Sequence, residues 1–149
     1  IEHSGEKPYK ICSDAAARYV NASPALLFIR SAGDFINLSG KTVVPLWRKL
    51  SRYGAVTNVV VHDELSLPLG KVQLRKPGTR LRCHNGLKSI SNHLGSGDFF
   101  RLAVGIGRPE DRDPKVVSDY VLGQFTPKDL AIIHTEALAR ALQLLKSFI

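Results

Sequence analysis

The sequence predicts a single α/β domain with a largely parallel or mixed sheet. Three observations carry that reading. Strand-like and helix-like segments alternate along the 149 residues. The run Val56 to Val61 is β-branched and almost continuously apolar, the pattern of a strand buried on both faces. Helix ends are signposted by Gly54, by Gly95 and by the Thr126-Pro127 pair.

Taken in order, residues 1–23 are polar and read as irregular, and residues 24–149 as the folded domain. Pro24 to Arg30 is a short apolar run, read as a strand. Residues 31–40, with two glycines, read as loop. From Thr42 to Tyr53 apolar residues recur at Val43, Val44, Leu46, Trp47 and Leu50, with Lys and Arg between them, so the spacing predicts a helix. Val56 to Val61 follows as a strand, running into His62-Asp63-Glu64-Leu65. Lys71 to Arg75 alternates and predicts a half-buried strand. Residues 76–85 are a basic loop, Gly86 to Leu94 a short helix, and Phe100 to Ile106 a strand stopped by Gly107-Arg108-Pro109. Lys115 to Leu122 predicts a short helix. Thr126, as N-cap with Pro127 behind it, opens a last helix to Phe148.

Charge is distributed unevenly. Residues 41–90 hold ten Lys and Arg against Asp63 and Glu64 alone, while the rest of the chain balances eleven against eleven. The whole net charge of +8 therefore lies in one third of the sequence, a field suited to a polyanion. The plain alternative is a solvated face that keeps the protein soluble. No apolar run reaches the roughly 18 residues of a membrane span, and Ile1 to Lys10 has no signal-peptide core. Cys12 and Cys83 are too few for a disulfide scaffold, so a reducing compartment is expected.

Several residues invite a chemical reading. His3 to Lys10 looks like a linker between zinc fingers, but Cys12 has no partner until Cys83 and no His pair follows at finger spacing. His62, His84, His93 and His134 fall into no metal-ligand spacing, so no metal site is expected; no cofactor is expected either, and neither a phosphate-cradling loop nor a nucleophile elbow is present. Asp63 and Glu64 stand at the carboxyl end of a predicted strand, the edge where open α/β sheets bind ligands. There a carboxylate orients a histidine or holds a charged group, or simply caps a turn. Asn85, just before a helix, either caps it or presents its amide to a substrate. Asn37, in a loop after a strand, has the same two readings.

Five segments together resemble the bacterial-type peptidyl-tRNA hydrolases, which also occur in mitochondria. They are Phe35 to Gly40 (FINLSG), Val59 to Gly70 (VVVHDELSLPLG), His84 to Ile90 (HNGLKSI), Phe99 to Pro109 (FFRLAVGIGRP) and Asp119 to Phe125 (DYVLGQF). They keep the family's order and nearly its spacing, from about Pro24 to the C-terminus. The resemblance implies a Rossmann-like, three-layer α/β/α monomer that hydrolyses the ester between a peptide and the 3′ end of tRNA. It implies that Asn37 and Asn85 hold the peptide backbone and position water, that Phe35 lines the same crevice, and that Asp63 orients a catalytic histidine. Arg75 matches a position that contacts tRNA phosphate, and Lys76 lies beside it. The expected partner is peptidyl-tRNA, with no DNA and no membrane, in the mitochondrion or cytoplasm.

The chain departs from the family in places. The general-base histidine lies in an Arg-His-Asn stretch after the first strand, and nothing in residues 1–23 matches it. The sequence therefore reads as an N-terminally incomplete member, its first strand and helix missing, and these 149 residues are expected to have little or no hydrolase activity. Thr79 to Cys83 is bulkier and more basic than the family's glycine-rich approach. Ala103 stands where many bacterial members have Arg, and Ile36 where Met is usual. The second reading is a non-catalytic RNA-binding remnant, with both asparagines as caps and the basic stretch holding tRNA. The third is a zinc-finger-like DNA binder.

Overall fold

The computed structural model describes residues 10–12, 17–23, 26–31, 35–81 and 84–149. The zinc-finger-like tract up to Tyr9, and Cys83, lie outside them. The chain divides into two compact units, one of residues 1–58, 78–98 and 149, the other of residues 59–77 and 99–148.

In unit one, β1 (Lys10–Cys12), β2 (Ala17–Ser23) and β3 (Leu26–Ser31) form an antiparallel sheet in that order. The first two strands correct the reading of this region as irregular. Antiparallel ladders are held by backbone hydrogen bonds, which a polar segment makes without advertising an apolar face. A single 3₁₀ turn, Ile36–Leu38, then leads directly into helix α1 (Ser39–Ser51). Val44 and Trp47 bury one stripe of α1, and Leu87 and Ile90 bury the facing stripe of α2 (Asn85–Leu94).

The two helices approach unusually closely at Gly40. Its N–H donates to Ser89 Oγ at 3.1 Å, and a Cβ there would meet the Ser89 backbone. Gly95, in the left-handed region at φ +80°, closes α2 and donates its N–H to the Ser91 carbonyl.

Unit two is built on the sheet β4–β6–β5, with β4 Val59–Glu64, β5 Val72–Arg75 and β6 Phe100–Gly105. β4 runs parallel to β6 and β5 antiparallel to it, so the sheet is mixed. The strand predicted at Val56–Val61 begins later, and it is not buried on both faces, since Val61 is 55% exposed whereas His62 is buried. A continuous β-branched run reports strand propensity, but the period-2 pleat sends Val61 and His62 to opposite faces, and in β4 only His62 is buried.

Because β6 lies between β4 and β5, their connection must cross the end of β6. It does so at Gly105 and Gly107. Gly105 N–H donates to Lys71 O at 2.7 Å, Gly70 N–H to Gly105 O at 3.1 Å and Gly107 N–H to Leu67 O at 3.1 Å. Helix α3 (Pro114–Leu122) starts on an Asp113 cap and is tied to β6's exit by Tyr120 Oη donating to Ile106 O at 2.5 Å.

Thr126 and Asp129 form a reciprocal capping box that opens α4 (Pro127–Ile132). That helix passes through a π turn at Ile133–Ala137 into α5 (Leu138–Leu145). Leu102, Ala103, Ala137 and Leu145 contribute to the core, and Phe148 meets Phe100 edge-on at 4.8 Å. No helix among the described residues is long and apolar enough to cross a membrane.

Candidate functional site

Of the six predicted site residues, Phe35, Asn37 and Asn85 belong to unit one, and Asp63, Arg75 and Lys76 to unit two. In unit one the local architecture brings the two asparagine segments together. Ile36 packs so tightly on Gly86 that a Cβ there would lie 2.9 Å from Ile36 Cγ1. Asn37 follows Ile36 and Asn85 precedes Gly86, so the two residues flank one contact. Both side chains are exposed, and neither makes a hydrogen bond among the described residues.

Around Asn37 the turn is apolar. Phe35 is 64% exposed, and Ile36 and Leu38 are exposed as well. Phe35 holds extended backbone and its carbonyl accepts from Leu38 N at 3.0 Å, which fixes the turn. Amides set in exposed apolar surface can bond a peptide backbone without reading its side chains.

The helix cap corrects the sequence reading. Asn85 is the first residue of α2, and the cap is His84, whose Nδ1 accepts from Leu87 N at 3.2 Å. The imidazole satisfies the orphan donor, so Asn85's amide is not spent on it. Removing the cap by His84→Ala is expected to cost about 1 kcal/mol, which is roughly 3 °C in Tm for a chain of this size. Differential scanning calorimetry checks this, and an unchanged Tm would show that the imidazole bond contributes nothing.

In unit two Asp63 is half-buried near the carboxyl end of β4, opposite Val104 of β6. The backbone carbonyl of Asp63 accepts from Nδ1 of the buried His62 at 2.6 Å. Arg75, at the end of β5, is only 13% exposed. Its Nη1 donates to Glu64 Oε2 at 2.5 Å and its Nε to Gln73 Oε1 at 3.2 Å. Lys76 follows it and is exposed. Ala103 is fully buried between His62 and Gln73 in the sheet register, so no cation stands at that place.

Glu64, paired with Asp63 in the sequence reading but given no role of its own there, is tied to Arg75 in the structure. Burial pushes its carboxyl up, but bonds from the Ser66 hydroxyl (2.8 Å) and amide (3.1 Å), together with Arg75, outweigh burial and hold it at about 2. The signal was present as an acid inside a basic stretch, but the partner is eleven residues away and visible only once both strands flank β6.

The folded value lies below the ordinary 4.5, so the unfolded chain takes up a proton first as the pH falls. The stabilisation is complete above about pH 4.5 and fades as the pH drops toward 2. Urea midpoints should fall over that window. Glu64→Gln should be less stable at neutral pH by about 2 kcal/mol and lose that part of the acid sensitivity. Identical acid profiles for the two proteins would contradict the assignment.

Comparison with known proteins joins these observations. A model of the peptidyl-tRNA hydrolase family matches residues 6–149. A peptidyl-tRNA hydrolase of Saccharomyces cerevisiae is 44% identical over 125 residues, covering 81% of this chain and 65% of that protein. A probable peptidyl-tRNA hydrolase of Schizosaccharomyces pombe is 44% identical over 106 residues, covering 68% and 52%. The bacterial enzyme of Maridesulfovibrio salexigens is 48% identical over 99 residues, covering 66% and 46%. The chain thus spans about half to two thirds of the length of these relatives.

The crystal structure of peptidyl-tRNA hydrolase from Acinetobacter baumannii superposes with a TM-score of 0.68 at 22% identity, covering 95% of this chain and 76% of that one. A crystal structure of a peptidyl-tRNA hydrolase complex with N-propanol gives 0.70 over the same shares. These likenesses show the α/β fold. With the five motifs in register and a match over nearly all of its length, the chain belongs to the peptidyl-tRNA hydrolase family.

Proposed function

We propose that this chain carries the substrate-binding part of a peptidyl-tRNA hydrolase, which cleaves the ester between a peptide and the 3′ end of tRNA. One observation carries the reading. Asn37 and Asn85 flank the Ile36–Gly86 contact as exposed carboxamides without partners among the described residues, because His84 caps α2 in place of Asn85. In this reading the two amides bond the peptide backbone and position water, with Phe35 alongside as apolar wall. Asp63 orients the imidazole that acts as general base. Lys76 and Arg75 meet tRNA phosphate, Arg75 in the orientation Glu64 gives it. A monomer acting in the mitochondrion or cytoplasm goes with this function.

No residue of the chain matches the family's Arg-His-Asn stretch, so the 149 residues alone are expected to release little or no peptide from a model peptidyl-tRNA. Release at ordinary enzymatic rates would show that a histidine of this chain, His62 or His84, serves as base.

Substrate binding is separable from that question. A peptidyl-adenosine joined by a 3′-amide cannot be hydrolysed as an ester, and its affinity reads the amide contacts directly. Asn85→Ala and Asn37→Ala should each weaken it about fivefold, the value of one hydrogen bond. An analogue that binds both variants as it binds the native chain would remove the asparagines from the site.

A further inference from the structure

We infer that the outward face of α1 binds single-stranded RNA, on a surface whose residues are distinct from those of the ester site. Pro45, Arg48, Lys49 and Arg52 fall at i, i+3, i+4 and i+7 along the helix, and all are exposed. They therefore form one stripe, turned away from the stripe that buries Val44 and Trp47. Tyr53 continues the stripe beyond the end of the helix and is 84% exposed. These five residues line an open depression of about 350 Å³.

The electrostatics around it are one-sided. α1 contains no acidic residue, and between Asp34 and Asp63 the sequence has none. Among the described residues of unit one, Asp98 is the sole acidic side chain, against nine Lys and Arg. Arg48 is aimed by its own bond, Nη2 donating to the His93 carbonyl at 2.9 Å. The Arg52 side chain makes no hydrogen bond or ion pair among the described residues. Cations near a helix C-terminus are favoured by its dipole, but that accounts for neither the exposed tyrosine nor three like charges within one turn, which repel.

Cations in a row beside an exposed aromatic ring are the elements of single-strand recognition. The guanidinium and ammonium groups follow the phosphates, and the ring offers a face on which an unpaired base stacks. A membrane surface fits less well. An interfacial helix needs a broad apolar face to enter the bilayer, and this stripe has only Pro45 and Tyr53. The inference uses none of the residues assigned to the ester, so it stands or falls separately from the hydrolase reading.

The test is fluorescence anisotropy of labelled octauridylate with the full 149-residue chain, across a range of KCl concentrations. The double variant Lys49→Glu/Arg52→Glu should weaken binding at least tenfold and reduce the slope of log affinity against log salt by about 1.4, for two phosphates released. Tyr53→Ala should weaken it about fivefold or more, with Tyr53→Phe within about twofold of native, as stacking requires. Affinity for the amide-linked peptidyl-adenosine is the second readout and should be unchanged in these variants, which also reports that they fold.

Octauridylate affinity within twofold of native in the charge-reversed variant would overturn the proposal. So would a Tyr53→Ala variant that binds normally. Vesicles of phosphatidylserine binding through these residues while octauridylate does not would replace RNA by a membrane surface.

Discussion

Gly105→Ala is expected to destabilise unit two by about 3 kcal/mol or more, at the upper end of overpacking costs, and to lower Tm by roughly 10 °C. The reason lies in the crossing described above. A Cβ on Gly105 would overlap the Pro68 carbonyl oxygen and lie 2.9 Å from both the Leu67 carbonyl oxygen and Leu67 Cβ. Two of these neighbours are backbone, so no rotamer change relieves the overlap. The link from β4 to β5 would have to lift off the end of β6. Three cross-link hydrogen bonds made by Gly70, Gly105 and Gly107 would be strained together. Glu64, whose carbonyl accepts from Ile106 N and whose carboxylate holds Arg75, borders the same link. Thermal denaturation followed by far-UV circular dichroism measures the loss. A Tm within about 2 °C of native would mean that the link is not seated on Gly105.

Gly40→Ala should act with comparable force in unit one, costing about 2–4 kcal/mol. The added methyl would overlap the Ser89 carbonyl oxygen, sit 2.5 Å from its carbon and lie 2.7 Å from His93 Nδ1. α1 and α2 would separate, breaking the buried bond from Gly40 N–H to Ser89 Oγ and displacing the one from His93 Nδ1 to Ser89 O, now 2.9 Å. The Ile36–Gly86 contact depends on the same approach, so the two asparagine segments would part. At a temperature where the variant is still folded, affinity for the amide-linked peptidyl-adenosine should fall more than tenfold, beyond the loss of either asparagine alone. Full affinity with lowered stability would show that the asparagines are placed independently of the helix pair.

Much of this fold is legible from residue patterns because the signals are local. The apolar spacing of α1, the Gly95 stop and the Thr126-Pro127 start each act within a few residues; the last two appear where the pattern puts them, while α1 begins at Ser39, three residues before the predicted Thr42 and inside the segment read as loop. What stays hidden depends on contacts between distant residues. The strands at Lys10–Cys12 and Ala17–Ser23 are held by backbone ladders. The exposure of Val61 follows from the position of β4 in the sheet. The exchange of roles between His84 and Asn85 turns on which of two adjacent polar side chains reaches Leu87 N. Of the site, the residue types at Asn37, Asp63 and Asn85 could be picked out in advance, whereas Glu64's hold on Arg75 could not, since it requires both strands in place.

The sheet order has a consequence for how the molecule assembles. β6 is the central strand and the last of the three to be synthesised, so neither β4 nor β5 has its partner when it leaves the ribosome. At ordinary elongation rates the roughly 30 residues from Arg75 to Gly105 take about 2–6 s. During that interval two strands wait with open edges, and the order of synthesis favours delayed, cooperative closure over hairpin-first folding. A chaperone that recognises extended apolar chain would find its longest opportunity at Val59–Val61, and pulse-labelling of stalled nascent chains should show that exposure end once β6 has emerged.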